Sequence, residues 1–301
     1  MMRKVYSPAH SMPDFISTFL DVLKESPAFF ITCSVLLGLM VGSFLNVVIH
    51  RLPQMMELDW QAERLEAEGK PLPEQSRYNL VTPRSCCPNC QHAITALENI
   101  PIISYLALGG KCSQCKTAIS LRYPMVELLT AALVGLASWH FGYSSLAVAS
   151  WLIIFALVAL TFIDLDTHLL PDDITLPLLW AGLLFNLNHG FTDIASAVIG
   201  AAAGYLVLWS VYWLFKLVTG KEGMGYGDFK LLAALGAWFG WQLLPAVILL
   251  SSVAGSIIGI ALIVFSKHRR EIPIPFGPYL ALGGVAALFF GNQLSQLYLG
   301  G

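Results

Sequence analysis

Eight long apolar stretches leave this chain very few possible folds. They run over 27–49, 124–142, 146–163, 174–189, 193–217, 229–242, 244–266 and 276–299. A helix crossing a bilayer needs about 20 mostly apolar residues. A soluble protein of 301 residues has no interior able to hide eight such runs. The fourth and sixth are short and interrupted, by Pro177 in one and by Gly236 and Gly240 in the other. Charge agrees with the apolar runs. Only 12% of residues are charged, against about 25% in a soluble protein. A disordered chain shows the opposite balance. A net charge of −2 gives no electrostatic case for nucleic acid, and no such partner is expected. The expected fold is an all-α polytopic membrane protein with about eight transmembrane helices, its surroundings a lipid bilayer.

One polar block, 50–123, separates the first stretch from the rest. Basic residues set orientation, because they stay on the cytoplasmic side. Fourteen of the 17 lysines and arginines fall on the side of that block. Eight are in the block itself, three lie between Lys216 and Lys230, and three are Lys267, Arg269 and Arg270. The block is therefore expected in the cytoplasm, with both termini outside. The first stretch exceeds the about 7–15-residue core of a signal peptide, and no small-residue cleavage site follows it. His50 and Arg51 come next, so a retained helix is expected. Gly38/Gly42, Gly200/Gly204, Gly236/Gly240 and Gly255/Gly259 are small-xxx-small pairs, which let helix backbones approach closely. Packing inside the molecule is the expectation for them, ahead of dimerisation. No whole-chain repeat is apparent.

Four of the six cysteines form Cys87-Pro-Asn-Cys90 and Cys112-Ser-Gln-Cys115, with 21 residues between the pairs. Two such knuckles can wrap a tetrahedral ion with four thiolates. The gap is slightly longer than the about 15–20 residues common in zinc ribbons. Disulfides are rare in a reducing cytoplasm, so zinc is preferred over a disulfide pair. A redox role is the third option, but no thioredoxin-like βαβ context surrounds either pair. A site with four cysteine ligands is closed, hence structural. A metal staple suits a block of this size that is poor in large apolar residues outside 94–108. Cys86 reads as a bystander and Cys33 as a small core residue. Between Glu57 and Glu68 five acids and one base suggest a short charged helix. It reads as a solvated face, the alternative being an acidic landing surface for a basic peptide segment.

Ionisable residues beside membrane spans are costly and are functional candidates. The third stretch ends at Asp164, followed by Leu165-Asp166. The sixth is preceded by Gly223-Met-Gly-Tyr-Gly-Asp228-Phe-Lys230. Both positions fall at the cytoplasmic boundary. Two carboxylates sharing one site do not both ionise readily. One then serves as base toward water and the other as acid, the aspartic-protease arrangement. Taken singly, Asp164 and Asp166 also read as interfacial loop acids. Gly225 and Gly227 are expected to allow unusual backbone angles and close approach of a peptide. Asp172 and Asp173 read as capping acids at the start of the fourth stretch, and Asp166 as a support for Asp164. Glu127 is expected to pair with a base, Arg122 or Lys230. His168 and His189 receive no role.

These residues resemble the bacterial type IV prepilin peptidase family, which also serves type II secretion. The likeness covers nearly the whole chain. It includes Gly42-Ser-Phe-Leu-Asn46 through His50-Arg51-Leu52-Pro53, Cys87-Pro-x-Cys90, Glu98-Asn99-Ile-Pro101, Ser104-Tyr105 and Gly110-Lys111-Cys112-x-x-Cys115. It continues in Arg122-Tyr123-Pro124-x-Val126-Glu127, Ile163-Asp164-Leu165-Asp166 and Gly225-Tyr226-Gly227-Asp228. The last element alone is shared with presenilin-like proteases. The resemblance implies a catalytic pair Asp164 and Asp228 in an inner-membrane aspartic endopeptidase. Such an enzyme removes the basic leader of prepilins and pseudopilins and methylates the new N-terminal amine from S-adenosylmethionine. No Gly-rich dinucleotide-type βαβ turn is present, so the methyl transfer rests on resemblance alone and no group is assigned to it. The division expected is a periplasmic segment 1–26, a first transmembrane helix 27–49, a zinc-binding block 50–123 and a seven-helix protease domain 124–301. A proton-coupled transporter and a non-enzymatic assembly scaffold are the competing readings. The first explains buried acids but not four cysteines.

Overall fold

The computed structural model describes residues 12–71, 77–265 and 274–299. The basic run 267–270 and part of the acidic stretch, 72–76, lie outside them. Ten α-helices are found among the described residues: α1 (Met12–Glu25), α2 (Pro27–Ala67), α3 (Ile103–Ala107), α4 (Arg122–Phe141), α5 (Ser145–Thr167), α6 (Asp172–Asn186), α7 (Ile194–Thr219), α8 (Tyr226–Phe239), α9 (Leu244–Phe265) and α10 (Gly277–Leu299). There is no strand among them, only two isolated bridges in the cysteine block. The eight apolar stretches correspond to α2 and α4–α10. Six of these eight are long and apolar enough to cross a membrane. The molecule is a multi-pass membrane protein.

The other two, α6 and α8, have 15 and 14 residues, or about 21–22 Å at 1.5 Å per residue. The hydrocarbon core is about 30 Å thick. Short helices leave backbone groups unpaired at membrane depth unless protein covers them. The covering is visible here. Asn186, at the end of α6, donates Nδ2 to the carbonyls of Ala237 (2.8 Å) and Trp238 (3.0 Å), the last turn of α8. Its Oδ1 accepts from the amides of Phe191 and Thr192. Trp238 returns a bond from Nε1 to the carbonyl of Leu178 at 2.9 Å.

Helix α8 is enclosed by α6, α7 and α10, and from Phe229 to Gly240 only Lys230 is not buried. Helix α5 is the other central element, packed by α2, α4, α6 and α10. Glycines set the closest crossings. A side chain on Gly200 or Gly236 would run into the other's helix backbone, and one on Gly204 would meet the Leu232 carbonyl. Gly38 and Gly42 lie the same way against Ala131 and Glu127 of α4. The small-residue pairs thus serve packing within the molecule.

Helix α2 departs from the expected boundary. Its 41 residues run unbroken through Pro53, so the charged stretch 57–68 is the continuation of the first span and not a separate helix. Pro53 removes one N–H but not the flanking bonds. Just before it, Arg51 is buried, donating to the carbonyl of Asn79 (2.9 Å) under the Tyr78 ring. Beyond it, Gln61 donates to Glu57 four residues back, at 2.9 Å. Such pairs support an exposed helix.

Candidate active site and metal centre

Helices α5 and α8 meet the same cavity at one end. Helix α5 continues a turn past the expected stop, so Asp164 and Asp166 sit on its last turn and not in a loop. His168 ends it in the left-handed conformation, its amide bonded to the Asp164 carbonyl. Helix α8 begins at Tyr226, which places Asp228 in its first turn. Asp164 is 5% exposed and Asp228 7%. Both line one cavity of about 720 Å³, and the two carboxylates interact electrostatically. Asp164 Oδ2 accepts the amide of Gly277, at the start of α10, at 2.9 Å. Asp228 Oδ1 is buried with no hydrogen-bond partner among the described residues.

The glycines of the site act through space and not through unusual angles. Gly225 has φ −84 and ψ 153, open to any residue, and Gly227 is helical. A Cβ on Gly227 would lie 2.7 Å from the Leu170 side chain. A Cβ on Gly277 would lie 2.6 Å from Asp164 Oδ2 and 3.0 Å from Leu170. Leu170 thus fills the space between the two acidic segments, and only glycine fits on either side.

Each carboxylate helix is tied down two residues beyond its acid. Arg122 reaches Asp166 at 2.7 Å, donates to the Phe162 carbonyl and covers the Phe162 ring. Lys230 holds Asp172 at 2.7 Å. Both bases are therefore engaged elsewhere, and the expected pairing with Glu127 does not occur. Glu127 is buried on α4 and accepts the amide of Ile102 at 2.9 Å. That bond holds a β-branched residue at φ 61, an outlier conformation. Asp172 is in the first turn of α6 but makes no capping bond; its partner is Lys230. The Gly277 amide that holds Asp164 has no signal in the sequence. The cavity is also walled by a face of α2 carrying Met56, Asp59, Trp60 and Glu63, part of the charged stretch whose alternative reading is an acidic landing surface. The spacing i, i+3, i+4, i+7 marks that face.

The cysteines form a second centre. The four sulfurs of Cys87, Cys90, Cys112 and Cys115 lie within 4.8 Å of one another. The Cys87–Cys115 and Cys90–Cys112 separations are 3.7 and 3.9 Å. A tetrahedral ion with bonds of about 2.3 Å needs sulfur–sulfur edges of about 3.8 Å, so the cluster fits. The two knuckles are copies of each other. Cys87 and Cys112 accept from the amides of Gln91 and Lys116, which have φ 59 and 58. The amides of Ile94 and Ile119 close the two loops onto Ser85 and Gly110. The repeated Cys-x-x-Cys-x-x-Ala-Ile in the sequence carries this symmetry. The Thr117 hydroxyl, 3.3 Å from Cys115 Sγ, leads a set of donors that holds this thiol down at about 5, whereas Cys90, despite the His92 backbone bond, is pushed up to about 12 by burial and the neighbouring thiols. The thiolate is the form that a metal takes. Cys86 is exposed and outside the cluster.

A many-span helical protein with two buried aspartates on one cavity has the build of a membrane-embedded aspartic protease. Comparison with known proteins narrows this. The model described as Bacterial Peptidase A24 N-terminal domain matches residues 36–141, and that of the Type IV leader peptidase family matches 151–260. A prepilin leader peptidase/N-methyltransferase of Pseudomonas aeruginosa is 58% identical over 93% of this chain and 97% of its own length. Its namesake in Aeromonas salmonicida is 57% identical over 94% and 99%. That of Burkholderia pseudomallei is 54% identical over 89% and 87%. The chain belongs to the type IV leader peptidase family. No solved structure matches it.

Proposed function

We propose that this protein cleaves the basic leader from type IV prepilins and pseudopilins and then methylates the new N-terminal amine from S-adenosylmethionine. The observation that carries the cleavage is the burial of Asp164 and Asp228 on one cavity. One carboxylate takes a proton from water, and the resulting hydroxide adds to the scissile carbonyl carbon. The other carboxyl donates its proton to the carbonyl oxygen, giving a tetrahedral diol. Collapse of the diol breaks the C–N bond as a proton passes to the leaving amine. The buried Oδ1 of Asp228, without a partner among the described residues, is free to hold water or substrate.

The side that carries fourteen of the 17 bases is cytoplasmic, in the bacterial inner membrane. This supports a scissile bond at the cytoplasmic interface, between a basic leader in water and an apolar helix in lipid. The periplasmic segment is 1–26, the first transmembrane helix 27–49, the zinc-binding block 50–123 and the protease domain 124–301. Cys87, Cys90, Cys112 and Cys115 hold a structural zinc that stiffens the block; the ion takes no part in hydrolysis. Methyl transfer is supported by the names of the relatives.

The test is to incubate purified protein with a prepilin and labelled S-adenosylmethionine. Wild type removes the leader and incorporates label. Asp164→Asn and Asp228→Asn each abolish leader loss while the protein stays folded. Retained cleavage in either variant would refute the dyad.

A further inference from the structure

One wall of the cavity carries charge that the carboxylate pair does not use. Met56, Asp59, Trp60 and Glu63 share one face of α2, and all four line the cavity. Glu57 belongs to another face, where Arg64 and Gln61 engage it. Asp59 and Glu63 are exposed and have neither an ion pair nor a hydrogen bond among the described residues. Asp172 and Glu222, also on the cavity, are held by Lys230 and Lys216. Lys230 is the single lysine among the described lining residues, and no arginine joins it. Among the described residues the cavity is therefore strongly acidic, and two carboxylates of α2 have no base beside them. A second feature of the same cavity is independent of this charge. Asp228 Oδ1 is buried and has no partner among the described residues, and a buried polar atom without a partner calls for a ligand group.

The order of side chains on α2 states what fits. An apolar residue alternates with an acid twice along the face. Trp60 comes between the two acids in sequence on this face, and an indole face attracts cations. An extended peptide with lysine or arginine side chains meets all of these groups at once. We propose that Asp59 and Glu63, with Trp60 between them, bind the cationic leader of the substrate and set the preference for basic leaders. This rests on the peptidase reading and adds the surface that holds the segment before the scissile bond. Single exposed ion pairs contribute little and are screened by salt. Several acids acting on one cationic segment also raise its local concentration and rate of encounter.

Binding is measured apart from turnover. Full-length Asp228→Asn protein in nanodiscs is titrated with a fluorescent prepilin N-terminal peptide, and with the same peptide whose leader lysines and arginines are replaced by glutamine. Adding Asp59→Asn and Glu63→Gln is expected to weaken binding of the basic peptide about tenfold, ~1.4 kcal/mol, and to flatten its salt dependence. The glutamine peptide binds both proteins alike. Asp59→Lys with Glu63→Lys regains affinity for a leader bearing glutamates. In protein with the aspartate pair intact, the neutralised variant raises KM for the basic substrate while kcat holds. An equal loss on both peptides, or no loss on the basic one, overturns the inference. A failure of the peptidase reading shows separately, as absence of cleavage by wild type in protein that still binds the leader by charge.

Discussion

Replacing Gly277 with alanine tests whether the Asp164 carboxylate must be held in place. The Gly277 amide gives that carboxylate its hydrogen bond, at 2.9 Å. The added methyl would lie 2.6 Å from the same oxygen and 3.0 Å from Leu170, both well inside van der Waals contact. A carboxylate at the end of a side chain yields more easily than a helix start, so Asp164 rotates away and the bond is lost. A hydrogen bond to a charged group contributes about 1.5–3 kcal/mol. At 1.36 kcal/mol per factor of ten, kcat falls by about 10–150-fold. Because the strain is relieved by a side chain and not by backbone, the thermal midpoint changes little. The assay is steady-state leader cleavage by purified protein in nanodiscs, with kcat and KM separated and unfolding followed in parallel. A variant that keeps wild-type kcat with an unchanged midpoint refutes the reasoning, since the displaced carboxylate would then have no catalytic part. A variant that loses its midpoint as well refutes the premise that the side chain is what moves.

The crossing of α7 and α8 gives the opposite signature. In Gly236→Ala the new methyl meets the Gly200 carbonyl, which cannot rotate away, so stability falls by about 1–3 kcal/mol or more, read as a lower thermal midpoint in detergent. Replacing Cys87 and Cys90 together with serine is expected to abolish metal binding by the four-cysteine cluster, and metal analysis of wild type that finds no stoichiometric zinc excludes the proposed zinc site. Glu98, bonded by Ser113 and Thr95, has its carboxyl held at about 2 rather than 4.5. Its folded value is depressed, so its stabilisation is present above pH 4.5 and is lost as pH falls towards 2. Hydrogen exchange across 85–119 rises over that window in wild type, and this acid-dependent part is absent in Glu98→Gln at equal metal loading.

Much of this architecture is written locally. Apolar run length locates α2 and α4–α10, since a bilayer leaves few other uses for such runs, and the two stretches broken by Pro177, Gly236 and Gly240 are those that form the short helices. The cysteine pairs and the acids Asp164 and Asp228 are legible because each is a rare residue type in a revealing place. What the local pattern does not contain is distance across the fold. The Gly277 amide and Asp164 lie 113 residues apart. Arg122 has Glu127 near it in sequence and Asp166 44 residues away, and only packing of α4 on α5 decides for the latter. The purpose of Gly227 also misleads when read locally. Its use is to leave room for Leu170, not to bend the chain.

The boundary of function does not follow the boundary of sequence. A division at 49/50 separates a membrane helix from a polar block, and the two family models meet between residues 141 and 151. Helix α2 runs through the first line, and the cavity spans the second. The cavity walls come from the part of α2 beyond Pro53, from α5 and the turn into α6, from the start of α8, and from Ile274 to Phe276, beyond the second match. Helix α2 makes this possible by not stopping at the membrane. Its lower half packs on α4 through Gly38 and Gly42, and its upper half stands over the carboxylates. The unbroken passage through Pro53 keeps the two halves in one register, so the packing on α4 fixes where Asp59 and Glu63 stand relative to Asp164. A hinge at that point, such as a glycine pair in place of Leu52-Pro53, would leave the aspartates and the metal centre in place. It would still uncouple the acidic face from the site, raising KM for a basic leader more than it lowers kcat.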